Sequence, residues 1–233
     1  METKQKILTV CVRLFLEHGY SRTTITQIVE EAGVARGSFQ NLFPTKDAVL
    51  MELVGTMFGG QFGVAKNIVG DNLPSVYTYA VETAIQLTLT ELNENLREIY
   101  IEAYTLPDTA EYIYLHTTAE LKQIFGSAFP EYTESDFYEM EIGTAGLIRN
   151  YMARKCDIHF PLERKLNRFL TASMRVYSPH AVAGLQPADL LLFPSAAALA
   201  DASYSRVLSV RWKSPPDLLS GRSAPMRQRI YGH

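Results

Sequence analysis

The chain has 233 residues, 47% of them hydrophobic, and a formal net charge of -3, long enough to bury a sizeable core in one or two domains. That acidic balance excludes a protein that holds nucleic acid by bulk positive charge, so any DNA contact has to come from local arrangement. Cys11 and Cys156 are the two cysteines and form neither a disulfide framework nor a CxxC metal knuckle.

The N-terminus, METKQKILTV, has basic residues but no apolar signal region or small-residue cleavage site, and no stretch approaches about 18 uninterrupted apolar residues. The expectation is a soluble, cytoplasmic protein with no membrane partner. Apolar residues recur at helical spacing almost throughout, which predicts an all-α fold. The first helix is expected over 3–18, with Ile7, Cys11, Leu14 and Phe15 on one face and Gly19 as its left-handed stop. Thr24 can cap the next helix, with Gln27 completing a capping box and Ile25, Ile28, Val29 and Ala32 as the buried stripe. Gly33 then supplies a tight turn, Val34 fills the angle, and a second short helix carries Phe39, Leu42 and Phe43 inward. That leaves Arg36, Gly37, Ser38, Gln40 and Asn41 pointing outward. Helix, glycine turn, helix is the helix-turn-helix pattern, whose second helix lies in the DNA major groove. An ordinary helical hairpin would show the same turn.

Further helices are expected at about 46–69, 74–92, 94–105, 107–127, 134–155 and 162–177, with Pro74, Pro107, Pro130 and Pro161 at or near helix starts. The last 56 residues differ in composition: residues 1–177 hold 17 glutamates and 18 threonines, and 178–233 hold none of either. This Ala/Ser/Pro-rich segment reads as atypical and disordered, either a genuine tail or the product of a frameshift or read-through.

The stretch Thr23 to Leu50, TTITQIVEEAGVARGSFQNLFPTKDAVL, closely resembles the DNA-binding signature of the tetracycline-repressor (TetR) family. The matching positions are Thr24, Ile28, Ala32, Gly33, Val34, Gly37, Phe39, Phe43, Lys46 and Val49 or Leu50. The resemblance implies a helix-turn-helix DNA-binding domain over 1–46 and a helical ligand-binding and dimerisation domain over 47–177. The protein it implies is a homodimeric repressor that leaves operator DNA when a small hydrophobic or aromatic effector binds, with no cofactor. Thr24, Arg36, Gly37, Ser38, Gln40, Asn41 and Lys46 are the expected DNA-binding residues. Gly37 would let the backbone approach phosphate. Lys46 and its helix N-terminus would hold a phosphate together, Thr24 would donate its hydroxyl or N–H to another, and Arg22, Lys4 and Lys6 would add attraction. The chain departs from the family where sequence is read: Ala35 replaces a capping Ser or Thr, Gln40 a Tyr, and Leu42 a His or Tyr. Gln40 and Asn41 can make bidentate bonds to adenine, and Arg36 suits guanine or phosphate.

In the family two C-terminal helices form the dimer. Here these are 135–155 and 162–177, with Ile142, Ala145, Gly146, Ile148, Arg149, Met152, Leu166, Phe169, Leu170 and Ser173 as interface candidates. Tyr100, Tyr104, Tyr112, His116 and Tyr151 are the candidate effector contacts, since Tyr100/Tyr104 and Tyr112/His116 share helix faces. Gly55, Gly59 and Gly63 fall on one face of a helix, which calls for close packing against a crossing helix or for a flexible connection. A helical enzyme is the competing class, but no GxSxG elbow, P-loop, GxGxxG or HExxH occurs. Cys156 and His159 are too few for a metal site. A helical interaction protein that has lost sequence-specific DNA binding is the other alternative. Paired Glu and Asp on the helices read as solvated faces.

Overall fold

The computed structural model describes residues 2–177; the atypical C-terminal segment, 178–233, lies outside the described residues. Among these there are α-helices and one 3-10 turn at Gly126–Ala128, and no strand. The helices are α1 (Thr3–His18), α2 (Ile25–Ala32), α3 (Arg36–Leu42), α4 (Lys46–Val69), α5 (Val76–Leu92), α6 (Glu94–Ala103), α7 (Pro107–Phe125), α8 (Glu134–Ala153) and α9 (Leu162–Tyr177). The expected spans hold to within about two residues at each end.

The first three helices close on one another because each offers a single apolar stripe. Ile7, Cys11, Leu14 and Phe15 of α1, Ile28 of α2 and Phe39 of α3 are fully buried. Of the stripe expected on α2, only Ile28 is fully buried; Ile25, Val29 and Ala32 pack at its margins. Two glycines make the tight turns. Gly19 ends α1 at φ 90°, and Gly33 ends α2 in the left-handed region, its N–H on the Glu30 carbonyl. α4 begins against this head and runs on into the larger body, burying Val49, Leu50, Leu53, Val54, Phe58, Phe62 and Ala65. By length and composition α4 could cross a membrane, but a core helix passes the same test, and this one lays its apolar face on the core.

α5 is the centre of the body. It is buried on nearly all sides from Val76 to Thr90, packed by α4, α6, α7, α8 and α9. Its threonines meet this by bonding their own helix: Thr83 donates to the Tyr79 carbonyl at 2.9 Å and Thr90 to Leu87 at 2.8 Å. At its C-terminal end Glu91 pairs with Arg97 of α6 at 3.0 Å and with the fully buried Lys165 of α9 at 2.6 Å. These bonds and the N–H of Cys156 outweigh burial, which alone would raise its pKa, and hold the Glu91 carboxyl below its ordinary value.

Candidate functional site

α3 is presented by the turn before it. The capping box of α2 forms as its sequence predicts, with Thr24 Oγ1 accepting the Gln27 N–H at 3.2 Å and Gln27 Oε1 accepting the Thr24 N–H at 2.8 Å. Ala35 precedes α3 without a side-chain cap, so the first N–H groups of α3 have no capping side chain. Phe39 and Phe43 turn inward, ring centroids 6.0 Å apart. Arg36, Gly37, Ser38, Gln40 and Asn41 are exposed. Leu42 does not turn inward: it is 42% exposed, because Phe39 and Phe43, one turn apart, occupy the inward face and position 42 is rotated about 100° from 43.

Charges on the head are arranged. Arg13 pairs with Glu17 and Glu31, and Lys4 with Glu52 at 2.8 Å, whereas Arg36, at the start of α3, has no acidic partner among the described residues. Two expected phosphate ligands are occupied within the chain. The Thr24 N–H and hydroxyl both go to Gln27 Oε1. The Lys46 ammonium donates to the carbonyls of Tyr20 at 2.6 Å and Thr23 at 2.9 Å and lies 4.1 Å from the Tyr20 ring centroid. Burial lowers its pKa. The structure therefore gives the Lys46 side chain a positioning role, tying the α1–α2 turn to the start of α4.

The head is joined to the body through α6. Glu98 accepts the backbone N–H of Tyr20 at 3.1 Å and of Ser21 at 2.9 Å, and Asn95 donates to the Leu16 carbonyl at 2.8 Å. Gly19 permits this approach, since a Cβ there would collide with the Glu98 carboxylate. Sequence reading missed this joint, which links residues almost eighty positions apart.

A cavity of about 20 Å³, room for a water-sized group, opens where α5 meets α6, α7, α8 and α9, lined by Tyr79, Glu82, Gln86, Tyr104, Thr117 and Glu141 among others. Of the five expected effector contacts only Tyr104 lines it. Tyr100 is buried nearby, accepting a bond from Gln61 at 2.5 Å. Tyr112 stacks on His116 at 6.0 Å between centroids, and Tyr151 packs on Phe169 at 5.8 Å; helix-face pairing brought these side chains together but not into one cavity. The polar residues it does hold read in the sequence as a solvated face. Glu82 and Glu141 are 2% and 4% exposed. Gln86 donates to Glu82 and accepts the Tyr104 hydroxyl at 3.1 Å; Glu141 accepts from Thr144 at 2.9 Å and Tyr177 at 3.1 Å. Burial raises both carboxyls, Glu82 to about 7 and Glu141 to about 8. The signal available was Glu82 and Gln86 one turn apart in the otherwise apolar and Thr-rich VYTYAVETAIQLTLTEL.

Two other expectations change. Close packing does not explain the α4 glycines: a Cβ at Gly59 or Gly63 would meet nothing within 4 Å, and one at Gly55 only the Tyr112 ring end at ordinary contact distance. Of the dimer candidates, Ala145, Ile148, Met152, Leu166, Phe169, Leu170 and Ser173 are buried within this one chain. They face α5 and its neighbours, which leaves the outer face of α8, with Ile142 at 45% exposure. Cys156 and His159 belong to no group of three metal-binding side chains among the described residues.

Residues 7–53 match the profile of the bacterial regulatory proteins, tetR family. Two relatives from Bacillus subtilis (strain 168) are HTH-type transcriptional regulators described as uncharacterized. YerO is 24% identical over 160 residues, covering 65% of this chain and 55% of YerO. YuxN is 31% identical over 101 residues, covering 42% of this chain and 32% of YuxN. The chain thus spans about half and about a third of these relatives. Among solved structures, RolR in complex with resorcinol has a TM-score of 0.63 at 16% identity, covering 83% of this chain and 94% of RolR. SmeT, the repressor of a Stenotrophomonas maltophilia multidrug efflux pump, gives 0.54 at 18% identity over 76% of this chain and 91% of SmeT. FadR of Bacillus subtilis with stearoyl-CoA gives 0.53 at 18% over 72% of this chain and 96% of FadR. These structures share the fold. Residues 7–53 thus carry a tetR-family helix-turn-helix, and the helical body behind it shares the fold of these solved structures.

Proposed function

We propose that the protein is a cytoplasmic, homodimeric transcriptional repressor that binds operator DNA through α3 and releases it when a small effector enters the α5–α9 cavity, and that it is not an enzyme. The observation that carries this reading is the exposed polar face of α3, Arg36, Gly37, Ser38, Gln40 and Asn41, unpaired among the described residues, on a head whose profile is that of a regulator family. In this reading residues 1–46 are the DNA-binding domain and 47–177 the effector and dimer domain. Gln40 and Asn41 read bases, Arg36 contacts guanine or phosphate, and Gly37 and Ser38 lie against the backbone. Thr24 reaches phosphate by giving up a bond to Gln27, and Lys46 serves through its backbone N–H at the start of α4. Effector control has support in two neighbours solved with resorcinol and stearoyl-CoA and in the layout of α6, which bears Glu98 at the head and ends at Tyr104 in the cavity.

The test is binding of the purified protein to labelled DNA flanking its gene, titrated with salt and scrambled competitor. Competitor-resistant binding with a steep salt slope, and an altered base preference in Gln40→Ala and Asn41→Ala worth about 1–3 kcal/mol each, are expected. Weak, sequence-indifferent binding that both variants leave unchanged would favour the alternative of an interaction protein, for which the exposed Leu42 on α3 speaks.

A further inference from the structure

We propose that the cavity between α5, α6, α7, α8 and α9 takes the ammonium group of a small protonated amine, held between the carboxyls of Glu82 and Glu141. This rests on the effector reading above. Glu91, at the end of the same α5, is paired with two cations, whereas the buried Glu82 and Glu141 have no Lys, Arg or His partner among the described residues. A buried carboxylate without a partner keeps its proton instead, so a positive group entering between the two acids can take the place of a proton.

The hydrogen-bond inventory points the same way. Gln86 donates to Oε1 of Glu82, and Thr144 and Tyr177 to Oε2 of Glu141. The second oxygen of each carboxyl carries no hydrogen bond among the described residues. Neither does the hydroxyl of Thr117, 8% exposed and also in the lining. Three open acceptors in one lining equal in number the three donors of an ammonium group, whose bulk is close to that of the water-sized space present. Tyr79, Tyr104 and Phe169 are the aromatic members of the lining and Ala145 and Ile148 the aliphatic ones, surroundings that suit a cation.

Burial makes both carboxyls hold their protons near neutrality, so a monocation that takes the place of the proton on one of them releases that proton and binds more tightly as pH rises, the other carboxyl staying protonated. The titratable groups facing the pair are Tyr79 of α5, Tyr100 and Tyr104 at α6, Tyr114 and Glu120 of α7 and Tyr177 of α9. None of them is a cation, and Glu120 is itself paired with Lys66 at 2.7 Å.

Calorimetric titration of the full chain with butylammonium, benzylammonium and 1,4-diammoniobutane, against butanol and benzyl alcohol, tests this. At least one ammonium should bind about ten-fold or more tighter than its neutral counterpart, and the Glu82→Gln/Glu141→Gln variant should lose that margin. Its affinity should rise several-fold between about pH 6.5 and 8, with proton release seen as a buffer-dependent heat. Thr117→Val, which leaves both carboxyls in place, should weaken it about three-fold or more and covers the case in which the double variant does not fold. No preference for ammonium over the alcohols, or an affinity that the substitutions and pH leave unchanged, would overturn the cation site. Ammonium binding that meets these marks while operator affinity stays constant would uphold the site and overturn its role as the effector switch.

Discussion

The carboxylate of Glu98, on α6, accepts the backbone N–H of Ser21 at 2.9 Å and so grips the turn between α1 and α2 from the side of the body. The same carboxylate takes the N–H of Tyr20, and α6 ends beside the cavity at Tyr104. A shift of this helix therefore moves both places. Glu98→Ala should leave two backbone donors without their partner at a cost of about 1–3 kcal/mol. Hydrogen exchange at Tyr20 and Ser21 should quicken while the amides of α5 keep their protection; unchanged exchange at the turn would remove Glu98 from the joint.

Lys46 is bonded to two carbonyls of the head. Lys46→Met should destabilise the head by about 1–3 kcal/mol and weaken operator binding without changing the salt slope. A phosphate contact would instead lower that slope by about 1. Salt titration of wild type and variant separates the two.

Gly37 has space for a Cβ inside the protein. Gly37→Ala should stabilise α3 by about 0.5–1 kcal/mol, raising the melting temperature, and yet lose operator affinity if the DNA backbone approaches at that position. A variant that is more stable and binds DNA equally well would remove Gly37 from the interface.

Glu82 and Glu141 carry folded-state pKa values of about 7 and about 8, raised by burial above the ordinary carboxyl value. Between the unfolded and folded values the native state binds more protons, so this stability is complete below about pH 4.5 and declines as pH rises through 7 to 8. The melting temperature should fall over about pH 4.5 to 8, and Glu82→Gln/Glu141→Gln should flatten that fall. An equally steep decline in the variant would assign it to other groups.

Lys165 is fully buried on Glu91. Glu91→Gln should leave that ammonium without its countercharge and cost about 3–5 kcal/mol in urea unfolding. A change below about 1 kcal/mol would mean that water reaches Lys165 in the native state.

What the sequence by itself determined is the caps, turns and helix spans, which act within about four residues along the chain. The Thr24 and Gln27 capping box, the left-handed Gly33, the uncapped Ala35 and the helix spans all appear as expected, because caps and turns are short-range hydrogen bonds and backbone preferences. The tetR-family motif is legible for the same reason, since its residues are neighbours in one compact head.

Only the tertiary structure decided which face of each helix meets water. α5 is enclosed by five other helices, so Glu82 becomes a buried acid although the same spacing on a two-sided helix would be a solvated one. Glu141 shares that fate from α8, and the apolar residues of α8 and α9 turn toward α5, leaving only part of the expected dimer face outside. Lys46 and Glu98 depend on partners 23 or more positions away. Hydrophobic periodicity tells a helix which side is apolar; what covers that side, and whether a polar residue is covered with it, is set by the number and direction of the neighbours packed around it.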